Sequence, residues 1–193
     1  MKAAELYRIL EKELGPPLTA RGLRKVRRSR LTFQQLLEGK YHTVWFQTDH
    51  YGWDAHAGGK FFVNFTVSMS PDPEDPERRE ARLNFFLSDI ELQRARKYQN
   101  EIVARIPKPP ESYFRSLQTG FSKSVGSESA ASLIKTVRGY FEPEREPFRR
   151  MQDFGLRYWQ PEDVIGWAQF IASVIPRALD DMQTWTIPPR NPH

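Results

Sequence analysis

Tyr41-His42-Thr43-Val44-Trp45-Phe46-Gln47 and Phe61-Phe62-Val63-Asn64-Phe65-Thr66-Val67-Ser68-Met69 decide the fold class. Both runs alternate with the two-residue period by which an extended chain sends side chains to opposite faces of a sheet. The first predicts a strand from Tyr41 to Asp49 and the second the longest strand, Lys60 to Ser70. Upstream, Leu23 to Arg28 and Leu31 to Leu37 read as a first strand pair, with Glu38-Gly39-Lys40 turning into Tyr41. Between the two long strands, Tyr51 to Gly59 forms a glycine-rich excursion. Beyond them Pro71, Pro73 and Pro76 crowd three prolines into six residues and stop the sheet.

Helical spacing frames this meander. From Ala3 to Leu14 the apolar residues Leu6, Ile9, Leu10 and Leu14 share one face, and Gly15-Pro16-Pro17 is expected to end that helix. Gly22 supplies the permissive backbone that a helix-to-strand connection requires. Near the other end, Pro161-Glu162-Asp163 opens a helix with acids in its first turn, and Val164, Trp167, Ile171, Val174, Ile175, Leu179 and Met182 form its buried stripe. Pro176 is expected to kink or divide it. Leu156 to Trp159 reads as a short strand before it.

The middle carries two periods at once: Leu83, Phe86, Leu87 and Ile90 are spaced as in a helix, whereas Leu83, Phe85 and Leu87 alternate. The reading favours helix from Glu77 to Gln99, with Ser88 as a cap for a new turn. Ile102 to Ile106 either ends that helix or forms a strand. Ser127 to Tyr140 reads as helix and Glu142-Pro143-Glu144-Arg145-Glu146-Pro147 as a charged turn. These elements predict one α+β domain over residues 1–193. It is an antiparallel sheet of four to six strands, with an N-terminal helix and a long C-terminal helix packed on it and a mobile tail at 187–193.

The composition suits such a domain. In 193 residues there are thirteen Phe, seven Tyr and five Trp, so much of the core is aromatic. There is no cysteine, which excludes disulfides, thiolate metal sites and thiol nucleophiles. No apolar run approaches the roughly 20 residues that span a bilayer, and acids interrupt the start of the chain where a signal peptide is apolar. A cytoplasmic protein without membrane association is expected.

The net charge of +5 is localised: residues 1–50 hold ten Lys or Arg against five Asp or Glu, and residues 51–193 hold nineteen of each. Within that first quarter Arg21, Arg24, Lys25, Arg27, Arg28 and Arg30 form a ribbon of six cations without an acid. An interior strand cannot bury such charge, so the ribbon is expected at a sheet edge, where it also discourages unwanted pairing. It can be a solvated, protected edge, or it can meet an acidic protein or a phosphate backbone. Trp53, in a glycine-rich loop with polar neighbours, is expected to be an exposed interface anchor beside it.

Recognisable catalytic sets are missing. The chain has no glycine-rich phosphate fingerprint, no glycine-lysine-serine or threonine loop, and no serine flanked as in a nucleophile elbow. His50, Asp54 and His56, with Asp49 and His42 nearby, are ligand types for zinc or manganese, yet polar residues also gather in loops for solvation alone. No catalytic residue, resident metal or cofactor is assigned.

Several features also carry a resemblance. They are the helix with Leu6 and Leu10, Gly22-Leu23-Arg24-Lys25, Thr32-Phe33, Phe62-Val63-Asn64-Phe65 and the later pair Tyr158-Trp159. In order and kind these resemble a family of uncharacterised bacterial domains, the domain of unknown function four-three-zero-four. Leu23 stands where that family has an aromatic residue, and Glu111 to Phe154 has no counterpart in it. The resemblance implies a bacterial α+β domain with no activity to transfer, similar in style to immunity and accessory proteins, which act by binding. The expected function is therefore non-enzymatic binding of a protein partner through the Arg21 to Arg30 ribbon and the Trp53 loop. Nucleic-acid binding through the same patch is the alternative, and a metal-dependent hydrolase the third reading.

Overall fold

Leu6, Leu10, Leu14 and Leu18 stand four apart and are all fully buried, and they hold together a single helix, α1 (Ala3–Ala20). The expected stop at Gly15-Pro16-Pro17 does not occur. Gly15 has no Cβ to meet the ring of Pro16. The carbonyls deprived of a donor belong to Lys12 and Glu13, which water can reach, while the helical path is what lets Leu18 bury. The helix then closes on a Schellman motif: Leu23 donates its N–H to Leu18 O (3.1 Å) and Gly22 to Thr19 O (2.9 Å). Gly22 takes φ +88°, and Leu23 is buried with Leu18.

The computed structural model describes residues 1–28, 30–49, 52–72, 75, 77–139, 141–142 and 155–185. Its sheet consists of β1 (Arg24–Val26), β2 (Thr32–Leu37), β3 (Lys40–Thr48), β4 (Gly59–Ser68), β5 (Arg79–Arg82) and β6 (Leu156–Tyr158). All pairs are antiparallel, in the order β1-β2-β3-β4-β5, with β6 also paired to β4. The domain is α+β as expected. The β2–β3 hairpin turns on Glu38 and Gly39, both with positive φ (51° and 75°), the twist a two-residue hairpin loop needs.

Register assigns the faces. Phe33, Val44, Phe46, Phe61, Val63, Phe65 and Val67 share one face and join a single core with α1 and with α5 (Pro161–Gln183). The other face carries Thr32, Thr43, Trp45, Asn64, Thr66 and Ser68, all buried, and Trp45 Nε1 donates to Thr66 Oγ1 at 3.0 Å. All seven stripe residues of α5 are buried. Contrary to the expected break, α5 runs unbroken past Pro176, which is exposed, so the bond that proline omits falls on the solvent side.

The segment 77–87 is not α-helical. Arg79 to Arg82 pair with Val67 to Asn64, because otherwise the outer edge of β4 would bury unpaired backbone groups beside Asn64 and Thr66. Leu83–Phe86 is a 3-10 turn that buries Leu83 and Phe86, and Phe86 stacks on Trp185 at 5.4 Å. Ser88 does cap α2 (Asp89–Arg105), in a capping box with Glu91. Helices α3 (Glu111–Val125) and α4 (Ser127–Gly139) follow, joined at Gly126. The charged turn after Glu142 and the tail 187–193 lie outside the described residues.

Two measurements test this account. Glu38 holds a left-handed conformation that costs a residue with a side chain ~1 kcal/mol, so Glu38→Asn is expected to raise the urea-unfolding free energy by about 0.5–1 kcal/mol. His42 is buried at the end of the core face, and its pKa is lowered, first by burial and then by Lys40, against a smaller opposing effect of Glu38. The native state therefore holds His42 neutral while the unfolded chain protonates it below about 6.5, so this stabilisation is present above that pH and lost as pH falls through it. The melting temperature is expected to fall between pH 7.5 and 5.5 more steeply for the wild type than for His42→Gln.

Candidate functional site

Where α1 hands over to β1, the chain builds a cleft of about 440 Å³. Tyr7 and Glu11 of α1 form one wall, and Lys25, Val26, Arg27, Arg28, Arg30 and Leu31 form the other. Four cationic residues thus line it beside one carboxylate. β1 is the terminal strand of the sheet, so the ribbon does lie at an edge.

The six cations divide by task. Arg21 donates to Pro176 O (2.8 Å) and pairs with Asp180, binding the end of α1 to α5. Register puts Lys25 on the core face, where its Nζ donates to both Glu11 oxygens at 2.7 Å. Arg28 donates to Pro71 O (2.8 Å) and lies 3.8 Å from the Asp72 carboxylate. The Arg30 guanidinium sits 5.0 Å above the Trp45 ring on the other face. Arg24 and Arg27 are exposed and carry no ion pair among the described residues. The ladder ends at Val26, so Arg27 and Arg28 belong to the turn rather than to a strand reaching Arg28.

Trp53 is not part of this cleft. It is half-buried, its ring 5.8 Å from that of Trp159, and Nε1 donates to Trp159 O at 3.2 Å. Trp159 N in turn donates to the buried carboxylate of Asp163 at 2.7 Å. Trp159 follows β6, and β2, β3 and β4 separate β6 from β1, roughly 19 Å between strand axes at ~4.8 Å per strand. The indole anchors its own loop instead of waiting for a partner.

The loop candidates for metal are also occupied. Asp54 Oδ1 accepts from His56 N (2.7 Å) and Ala57 N (2.9 Å), and the His56 ring packs 4.7 Å from Tyr113. His50 lies outside the described residues, and among those described no group of three His, Asp or Glu could hold a metal ion. Tyr158, behind Tyr7, is pushed up to about 12 by burial and by the neighbouring Tyr7 and Asp49, so it stays a neutral phenol. The cleft presents an excess of positive charge.

Sequence reasoning missed Tyr7 and Glu11. They lie on the helix flank beside the leucine stripe, and only the path of β1 back along α1 makes them a wall. Comparison with protein-family models, curated proteins and solved structures returned no match. No described helix is long and apolar enough to cross a membrane.

Truncating Trp53 separates an anchor for partners from an anchor for the fold. Trp53→Ala is expected to lower the unfolding free energy by about 1–3 kcal/mol through lost burial. An unchanged urea midpoint would return the residue to the surface.

Proposed function

We propose that this protein is a non-enzymatic binding protein of the immunity or accessory type, engaging an acidic protein partner in the cleft between α1 and β1. The observation that carries this reading is the cleft itself, which four cationic residues and a single acidic one line at the terminal strand of the sheet. Opposite charge steers such a partner and fixes its orientation, while the half-buried Tyr7 and Val26 add apolar surface for affinity. The resembled bacterial family is uncharacterised, but its likeness in style to immunity and accessory proteins, which act by binding, points the same way.

Nucleic acid is the competing partner, and salt distinguishes the two. Phosphate binding releases counterions, so its affinity falls steeply and log-linearly with salt, whereas a mixed apolar protein interface weakens less. Affinity capture from a bacterial lysate with the wild type and with Lys25→Glu/Arg27→Glu, changes at two residues that line the cleft, is the direct test. A protein held by the wild type through moderate salt and released by the double variant is the expected result. Retention of nucleic acid that scales with salt, or a protein partner held equally by both forms, overturns the reading.

A further inference from the structure

We infer that β1 is a receiving edge: an extended acidic segment of the partner adds to the sheet beside it and takes Lys25 from Glu11. This rests on reading the cleft as the partner site. Among the described residues β1 pairs with β2 alone, and its Lys25 and Val26 share the cleft wall with the turn that follows. Added strands gain main-chain hydrogen bonds from such an edge and specificity from alternate side chains. The charges then select the strand. Arg24 and Arg27 are exposed without ion pairs among the described residues, so a copy of this basic edge is repelled and an acidic strand is matched.

Glu11 shows which group the cleft accepts, since both its carboxylate oxygens lie 2.7 Å from Lys25 Nζ. That pair is about half exposed, so exchanging one carboxylate for another costs little. Lys25 points to the core face and Arg24 to the other. The segment therefore needs acids at consecutive positions, one for each face, over about 10 Å of strand at ~3.3 Å per residue.

The test uses the full chain and an acetylated peptide, Val-Glu-Val-Glu-Glu-Val-Glu-Val, with its glutamine counterpart and a form N-methylated at alternate central residues. The expected result has three parts: the acidic peptide binds at least tenfold more tightly than the glutamine peptide, N-methylation weakens it at least tenfold, and the amides of Arg24, Lys25 or Val26 gain protection from hydrogen exchange. If the acidic peptide binds, and Arg24→Glu/Arg27→Glu abolishes binding, but methylation and exchange show no effect, strand addition is overturned while the acidic-partner reading stands. If no acidic peptide binds at millimolar concentration and single-stranded DNA does, both fall.

Discussion

The structure depends on the double burial of β4. From Phe61 to Ser68 every residue is buried; β3 takes one edge, and β6 and β5 share the other end to end. A strand so enclosed has one tolerable register. A slip by one residue would turn Asn64 and Thr66 into the apolar layer and Phe65 and Val67 out of it. With β4 fixed, β3 follows from the ladder, β2 from the two-residue hairpin, and β1 from β2.

The same chain of constraints places the cleft. The Schellman close at Gly22 sets where α1 ends, Arg21 ties that end to α5, and β1 must start at once and run back along α1. Lys25 comes level with Glu11 for this reason, fourteen residues away in sequence. Exposed ion pairs of this kind contribute at most about 1 kcal/mol, so their arrangement follows from the fold rather than creating it.

Much of the fold was legible because its signals are local. Alternation marked β3 and β4, the stripe from Val164 to Met182 marked α5, Gly22 marked a helix-to-strand connection, and Ser88 marked a cap. The errors lie where a distant partner decides. Leu83 to Leu87 satisfies two periods, and the open edge of β4 chose strand for Arg79 to Arg82. Pro16 and Pro17 carry a strong local stop, and burial of Leu18 overrode it. For the site, composition located the cationic edge, but nothing near Arg21 announces Asp180, and nothing near Trp53 announces Trp159.

Those long-range partners change the meaning of the cationic ribbon. Protection against edge pairing requires only that charge point outward, and a solvated ribbon of six would serve. Here Arg21, Lys25, Arg28 and Arg30 are drawn onto α5, α1, the Pro71 carbonyl and Trp45, while Arg24 and Arg27 carry no ion pair among the described residues. Charge spent on internal contacts guards an edge poorly, yet it builds walls. Of the cations that line the cleft, Lys25, Arg28 and Arg30 are held by contacts within the fold, and in a binding site of the proposed kind such preorganisation lowers the ordering cost of binding.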